Sequence, residues 1–180
     1  RIAFVGAGGP GHLPLVEQAL RMRNASFSQI EAILLTHADV NLCANAYALR
    51  ALGEGRMYIN RLEEPRLNLT FPPSQSRRAK TEKARAERIG YRPCPVDFYV
   101  GDGDHIDAWY GLGVVALPGP TPGHCGYYCR HLDVMFCGTN LEQRTRSPGP
   151  PHDEDALALS RARVAKLAPK WLFCMEGNTH

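Results

Sequence analysis

The chain has 180 residues, 44% of them hydrophobic and 22% charged, a balance that is typical of a folded globular domain and excludes a disordered chain. The formal net charge of +3 is too small to indicate a nucleic-acid partner by itself. No run of eighteen apolar residues occurs, so the sequence predicts no membrane-spanning helix.

The first third of the chain alternates between strand and helix patterns, which predicts an α/β layered fold. The predicted strands are 2–6, 30–37 and 56–60, and the predicted helices are 13–23 and 43–52. The expected inward face of the second helix consists of Ala44, Ala48, Leu49 and Leu52. Because the chain enters its first strand directly and without a Met, we expect further N-terminal strands upstream of Arg1.

A glycine-rich turn, FVGAGGPG at 4–11, follows the first strand, where a dinucleotide-binding loop would lie. Its glycines do not match the G-x-G-x-x-G spacing. Thr36-His37, and not an acidic residue, follows the next strand. We therefore do not expect nucleotide binding.

A basic segment, SQSRRAKTEKARAERIGYRP at 74–93, contains seven Lys or Arg and two Glu, a local net charge of +5. We predict an exposed helix or an insertion there, which is either a solvated face or a docking surface for an acidic protein or an RNA backbone. No aromatic residues alternate with the basic ones, so sequence-specific RNA reading is not expected. The candidate surface residues are Arg77, Arg78, Lys80, Lys83, Arg85 and Arg88.

The second half of the chain reads as short strands, turns and one helix. Asp102-Gly103 predicts a hairpin within 96–119, and a turn near Leu132-Asp133 predicts another within 126–138. A loop at 145–152, a helix over 155–168 capped by Asp153 or Asp155, and a last strand at 171–174 complete the expected elements. Since no repeat or linker divides the chain, we predict a single domain over 1–180, with the insertion around 74–93.

Three motifs now occur in a fixed order: a strand ending in ILLTHADVNLC, then LPGPTPGHCGYY, then VMFCGTNL. In this order they resemble the metallo-β-lactamase superfamily, with its T-H-x-H-x-D-H, T-P-G-H and strand-G-D motifs. The closing segment KLAPKWLFCMEGNT is most similar to the hydroxyacylglutathione hydrolase (glyoxalase II) type. The resemblance covers nearly the whole chain and implies an αββα sandwich, two β-sheets between helices.

The resemblance also implies which residues stand at the metal positions. His37, Asp39 and His124 match the three ligands of the first metal, with Asp39 replacing a histidine. Two imidazoles and a carboxylate are a legitimate ligand set for zinc or iron. The positions that match the ligands of the second metal are degenerate. This chain has Asn41, Leu42, Thr139 and, depending on register, Glu176 or Asn178 there. Leucine cannot ligate, so the resemblance implies that the second metal is lost.

The preferred interpretation is a catalytically degenerate family member, without a cofactor, that serves a structural or interaction role as a subunit of a larger protein or ribonucleoprotein assembly. The alternative is a mononuclear hydrolase of thioesters, lactones or phosphoesters that uses one zinc or iron ion at His37, Asp39 and His124. A small-molecule binding protein is a third option. Each histidine has a simpler role as a hydrogen-bonded structural side chain, and Asp39 has one as a helix cap.

Six cysteines, at 43, 94, 125, 129, 137 and 174, form no CxxC pair, and RIAFVGAGG is too short and glycine-rich for a signal peptide. We expect buried free thiols in a reducing compartment, the cytoplasm or an organelle matrix, over a secreted disulfide framework. Cys43 and Cys125 adjoin the ligand positions, and His180 ends the chain, so a rearranged site that includes them is a further alternative.

Overall fold

The structure, a computed structural model, describes residues 1–71, 76–138, 153–174 and 177–179, without the side chains of 41, 76–79 and 177–179. Its contacts cluster in two units, one formed by 1–59 and 64–99 and the other by 60–63 and 100–180. The prediction of a single domain stays a prediction. Within the described residues, no helix is both long and apolar enough to cross a bilayer.

A four-stranded parallel sheet forms the centre of the first unit, in the order β1-β2-β3-β4. The strands are β1 (Ile2–Val5), β2 (Ile30–Leu34), β3 (Arg56–Ile59) and β4 (Phe98–Tyr99). The helices are α1 (Leu13–Arg21), α2 (Val40–Cys43), α3 (Ala46–Gly53), α4 (Glu64–Leu67) and α5 (Ser76–Arg88). The β-α-β-α-β rhythm of the sequence is confirmed, since apolar runs such as IEAIL form a strand that is buried along most of its length.

In place of the predicted helix 43–52 the structure has α2 and α3. The prediction of the inward face is partly wrong. Since α3 begins at Ala46, its buried residues are Ala46, Leu49 and Gly53, and Leu52 is 51% exposed. The break lies at Asn45, whose amide donates to the carbonyl oxygens of Ala7 (3.1 Å) and Gly9 (2.7 Å). The side chain therefore ties the glycine-rich turn after β1 to the start of α3.

A mixed six-stranded sheet, in the order β10-β9-β8-β7-β6-β5, forms the second unit with α6 (Glu154–Leu167). Its strands are β5 (His105–Ile106), β6 (Leu112–Ala116), β7 (Cys125–Cys129), β8 (Val134–Gly138), β9 (Trp171–Cys174) and β10 (Gly177–Thr179). Met135 of β8 packs with Leu157 and Val164 of α6 in one buried cluster. The cap of α6 is Asp153, whose side chain accepts from Ala156 N–H at 2.9 Å.

Two expectations for this half of the chain are wrong, and one is confirmed. Asp102-Gly103 does form a turn, but β4 pairs with β3 in the first sheet. The hairpin within 96–119 is formed by β5 and β6, so its placement across Asp102-Gly103 is wrong. The Asp97 carboxylate holds the chain beside β3 because it accepts from Met57 N–H at 2.8 Å. Strand β9 is followed by β10 and is not the last strand. The hairpin of β7 and β8 forms as predicted. The loop at 145–152 lies outside the described residues.

Candidate functional site

The first motif is a short loop that follows β2 in the first unit. After Leu34 the chain passes through Thr36, His37 and Ala38, and α2 begins directly after Asp39. The carbonyl oxygen of Asp39 accepts from the N–H groups of Leu42 and Cys43, both at 2.8 Å. Since β2 lies between β1 and β3, the loop leaves the carboxyl end of an interior strand, where ligand sites of parallel sheets lie.

His37 is held in this loop as a buried, neutral imidazole. The residue is 7% exposed, and its Nδ1 lies 3.1 Å from the Thr36 hydroxyl. Burial, and secondarily the positive charge of Arg66, lower the pKa of His37 to about 3. The neutral ring is the form that can bind a metal, so burial alone does not exclude a ligand role for His37.

Arg66, on α4, places a guanidinium beside the same loop. Its Nε donates to the carbonyl oxygen of Ala38 at 3.2 Å, and its charge acts on both His37 and Cys43. Nothing in the sequence pattern around EEPRL indicated this contact. A fixed cation at this position opposes a second, divalent cation in the loop because like charges repel.

A small cleft opens beside this loop within the first unit. Its lining residues are Ala38, Val40, Cys43, Arg66, Leu69, Phe71, Glu82 and Tyr91. The Cys43 thiol donates to the Tyr91 hydroxyl at 3.7 Å, which in turn donates to Leu67 O at 2.8 Å. Burial raises the pKa of Cys43 to about 12, and it raises the pKa of Cys125 in the second unit to about 12 as well. In the absence of a metal, both thiols are therefore protonated at neutral pH.

Leu42, one of the degenerate positions, is a core side chain that is 3% exposed. It packs so closely on Gly6 that a Cβ there would lie 2.6 Å from Leu42 Cδ1. Its carbonyl oxygen also accepts from Ala7 N–H at 2.6 Å. The Leu42 side chain has no donor atom, so it cannot bind a metal. Asn41 precedes Leu42 on α2, and its side chain is outside the described residues.

The T-P-G-H motif lies in the second unit, in the turn between β6 and β7. His124 is 1% exposed, and its Nδ1 lies 2.9 Å from the carbonyl oxygen of Leu117. Since a carbonyl can only accept, this contact assigns a proton to Nδ1. An imidazole oriented in this way by a backbone carbonyl is typical of metal-binding histidines, and it is equally stable as a structural hydrogen bond.

Glu63 is a component of this turn that the sequence did not indicate. It is fully buried, and its Oε1 accepts from Gly123 N–H at 2.9 Å, one residue before His124. A Cβ at Gly123 would lie 2.8 Å from Glu63 Cγ, so the turn requires a glycine there. Thr121 Oγ1 is buried and has no hydrogen-bond partner among the described residues. A buried polar segment therefore surrounds His124 within this unit.

The predicted ligands are divided between the two units: His37 and Asp39 lie in the first and His124 in the second. Their grouping around a metal stays a prediction. In the described parts of the chain, no group of three His, Cys, Asp or Glu side chains has an arrangement that could hold a metal ion. Thr139, Glu176 and His180 lie outside the described residues, as does the side chain of Asn178 on β10.

Residues 76–88 of the basic segment form α5, so the expectation of a helix is confirmed. Lys80, Lys83 and Arg88 are exposed and Arg85 is half-buried, while Ala86 is 2% exposed and anchors the helix to its unit. The side chains of Arg77 and Arg78 are outside the described residues. At least three cations of α5 therefore face solvent.

The sequence matches a protein-family model over most of its length. The family model of the Metallo-beta-lactamase superfamily matches residues 5–175. No curated protein sequence matches the chain.

Solved structures support the same fold. A metallo-beta-lactamase family protein from Thermus thermophilus superposes with a TM-score of 0.76 at 18% identity, over 99% of this chain and 65% of that one. BJP-1, a subclass B3 metallo-beta-lactamase of Bradyrhizobium japonicum, gives 0.73 at 16% identity, over 96% and 66%. The protein TTHA1623, solved in a di-iron-bound form, gives 0.71 at 23% identity, over 97% and 82%.

These likenesses confirm the predicted α/β fold with two sheets and helices, and at such identities they show the fold alone. The chain spans about two thirds of the Thermus and Bradyrhizobium proteins. The finer assignment to the glyoxalase II type stays a prediction.

Proposed function

Because this chain belongs to the metallo-β-lactamase superfamily, with a family match over 5–175, we propose that it is a catalytically degenerate member with a structural or interaction role. The observation that carries the proposal is Leu42. A side chain without donor atoms stands where the family motif has a metal-binding histidine, and it is packed on Gly6 as part of the core. Replacing a ligand by a buried hydrocarbon removes the second metal and stabilises the loop without it.

Arg66 supports the proposal independently. The guanidinium donates to Ala38 O, the backbone oxygen between the candidate ligands His37 and Asp39. A positive charge fixed here lowers the affinity of the loop for a divalent cation. The same hydrogen bond holds the Ala38 carbonyl, so the loop conformation is stabilised without a metal.

The role that we propose is docking within a larger protein or ribonucleoprotein assembly, with α5 as the contact surface. Lys80, Lys83 and Arg88 face solvent on one short helix and fit an acidic protein surface. Contact with an RNA backbone is the second option, because phosphate oxygens are recognised by the same side chains.

Metal content and turnover test the proposal together. Protein purified without chelator is assayed for zinc and iron, and its hydrolysis of thioester, lactone and phosphoester substrates is measured with and without added zinc. We expect well below one metal equivalent and no turnover above the rate measured without protein. One or more equivalents of metal together with substrate turnover would contradict the proposal.

The alternative function, a mononuclear hydrolase, is favoured by one observation. The Leu117 carbonyl fixes the orientation of the His124 ring, and metal-binding histidines are commonly oriented by such a contact. His37, Asp39 and His124 would hold one zinc or iron ion, which would supply Lewis-acid chemistry. The test compares His124→Ala with His131→Ala, an exposed histidine of the same unit. This alternative requires that metal content and turnover are both lost in the first variant and both kept in the second.

A further inference from the structure

Two cysteines of the second unit, Cys137 on β8 and Cys174 on β9, lie side by side. The two strands pair in parallel, with Gly138 opposite Cys174 after a register shift between Phe136 and Gly138. Both cysteines belong to the apolar cluster that packs under α6 with Leu157. Their side chains therefore leave the sheet on the same face, next to each other.

The two thiols are hydrogen-bonded to each other. Neighbouring strands lie about 4.7–4.9 Å apart, and Cys137 directly precedes Gly138, the residue opposite Cys174. The expected Cα separation of about 6 Å for such a diagonal pair is within the roughly 4.4–6.8 Å that a disulfide spans. Three of the other thiols have different hydrogen-bond partners. Cys43 donates to Tyr91, Cys94 to the Pro95 carbonyl at 3.6 Å, and Cys125 shares a hydrogen bond with Tyr127.

We propose that Cys137 and Cys174 form an oxidisable dithiol, which a peroxide converts to a disulfide joining β8 to β9. This site is independent of the proposed function. All six cysteines are free thiols in the structure, and Cys137 and Cys174 lie on paired, neighbouring strands.

The chemistry assigns different roles to the two thiols. Cys174 is partly exposed and Cys137 is buried, so Cys174 meets the oxidant first. Its sulfur attacks the peroxide, the O–O bond breaks, and a sulfenic acid and one water form when the oxidant is hydrogen peroxide. The Cys137 sulfur then attacks the Cys174 sulfur. The S–O bond breaks and the hydroxyl leaves with the Cys137 proton as a second water. The protein loses two electrons, and the peroxide gains them.

The order of attack agrees with the surroundings of Cys137. The hydrogen bond to Cys174, together with burial, raises the pKa of Cys137 well above its usual range. Cys137 is therefore a poor first nucleophile toward dissolved oxidant, and it serves as the resolving thiol because its target sulfur is already in contact.

Trypsin makes the test specific. Cleavage after Arg130, Arg144 and Lys170 releases peptides 131–144 and 171–180, each of which contains one cysteine. The folded protein is treated with hydrogen peroxide, remaining thiols are blocked with a maleimide, and disulfide-linked peptides are quantified by mass spectrometry. We expect the linked pair 131–144/171–180 to exceed any other pair by about tenfold, because the two thiols have a high effective concentration. The link is lost on treatment with dithiothreitol.

Variants and an unfolded control complete the design. Cys174→Ser abolishes the linked pair and leaves Cys137 as a thiol, while Cys129→Ser, at a buried cysteine on the neighbouring strand β7, keeps it. In denaturant the preference for the pair disappears. The proposal is overturned if folded wild-type protein accumulates Cys174 sulfinic acid without the linked pair, or if another pair of cysteines links first. Since the wild-type result decides, poor folding of a variant does not affect the conclusion.

Discussion

Arg66 donates a hydrogen bond from Nε to the carbonyl oxygen of Ala38, at 3.2 Å, and so fixes a cation against the loop that carries His37 and Asp39. The contact joins α4 to the loop that follows β2 within one unit. Its consequence is electrostatic as well as structural, because the guanidinium helps to keep the buried His37 ring neutral. This single residue therefore connects the stability of the loop to its capacity for a metal.

Arg66→Met tests that connection. The substitution keeps most of the aliphatic length of the side chain and removes the charge and the donor, leaving the Ala38 carbonyl without this bond. We expect a loss of about 1–2 kcal/mol in the free energy of unfolding, measured in urea with chelator present. We also expect tighter zinc binding than in the wild type, since the repulsive charge is gone.

Arg23→Met is the matched control for Arg66→Met. Arg23 donates to the Ala19 carbonyl, also at 3.2 Å, but on the exposed surface of its helix end. Because solvent replaces that bond, we expect a loss below about 0.5 kcal/mol. Equal losses in the two variants, with zinc affinity unchanged in both, would show that Arg66 has no special relation to the loop.

The pH dependence of stability reports on His37. Its pKa falls from 6.5 to about 3 on folding, so between these values the unfolded chain binds the extra proton. Stability is therefore complete above about pH 6.5 and falls as the pH drops toward 3. At pH 5 we expect this one residue to lower the free energy of unfolding by about 2 kcal/mol relative to pH 8.

His37→Gln isolates this contribution, because glutamine does not titrate. Urea unfolding at pH 5, 6, 7 and 8, with chelator present, gives the slope for each variant. We expect the slope below pH 6.5 to decrease in His37→Gln and to persist in His131→Gln, where the histidine is exposed. An unchanged slope in His37→Gln would mean that folding does not lower the pKa of His37.

Local sequence patterns predicted most of the elements because each one depends on a few neighbouring residues. Buried strands such as β2 and the capped helix α6 are determined by apolar runs and by Asp153. The hairpin at Asp102-Gly103 was wrong because strand pairing depends on a distant contact: Asp97 joins Met57 N–H and the Arg50 guanidinium, and so assigns β4 to the first sheet. No pattern near residue 102 contains that information.

In the candidate site, too, local motifs were predictable from the sequence and distant contacts were not. The motif order identified His37 and His124 as notable, and both are buried and hydrogen-bonded. Arg66 and Glu63 were missed because each contacts its loop through a backbone atom, Ala38 O and Gly123 N. A contact through a backbone atom requires no complementary polar side chain in the loop, so the loop sequence does not indicate which residue makes it.

Gly123→Ala tests the tight packing of the T-P-G-H turn. The added Cβ would lie 2.8 Å from Glu63 Cγ and 2.9 Å from its Oε1, and Glu63 is fully buried and cannot withdraw into solvent. We expect a loss of about 1–3 kcal/mol in the free energy of unfolding, measured in urea. Gly101→Ala is the control, since a Cβ there has Asp104 Oδ2 as its nearest neighbour at 3.9 Å. Equal stabilities of the two variants would exclude a close Glu63–Gly123 contact.

Charge reversal on α5 tests the proposed docking surface. The triple variant Lys80→Glu, Lys83→Glu, Arg88→Glu changes three exposed cations, whose removal weakens any contact with a polyanion. The matched control, Arg130→Glu, Lys166→Glu, Lys170→Glu, changes the formal net charge equally but in the other unit. Binding to single-stranded RNA homopolymer and to polyglutamate is measured from 50 to 200 mM salt, a range over which phosphate contacts are strongly weakened.

The salt dependence distinguishes a local surface from a general charge effect. If α5 contacts RNA, its triple variant reduces the slope of log affinity against log salt by about 0.7 for each phosphate that the helix no longer neutralises, and the control triple keeps the slope. Preferential loss of polyglutamate binding instead favours an acidic protein partner, which the proposed function prefers. Equal losses in the two triple variants would show that net charge alone drives binding, and would remove α5 as the docking surface.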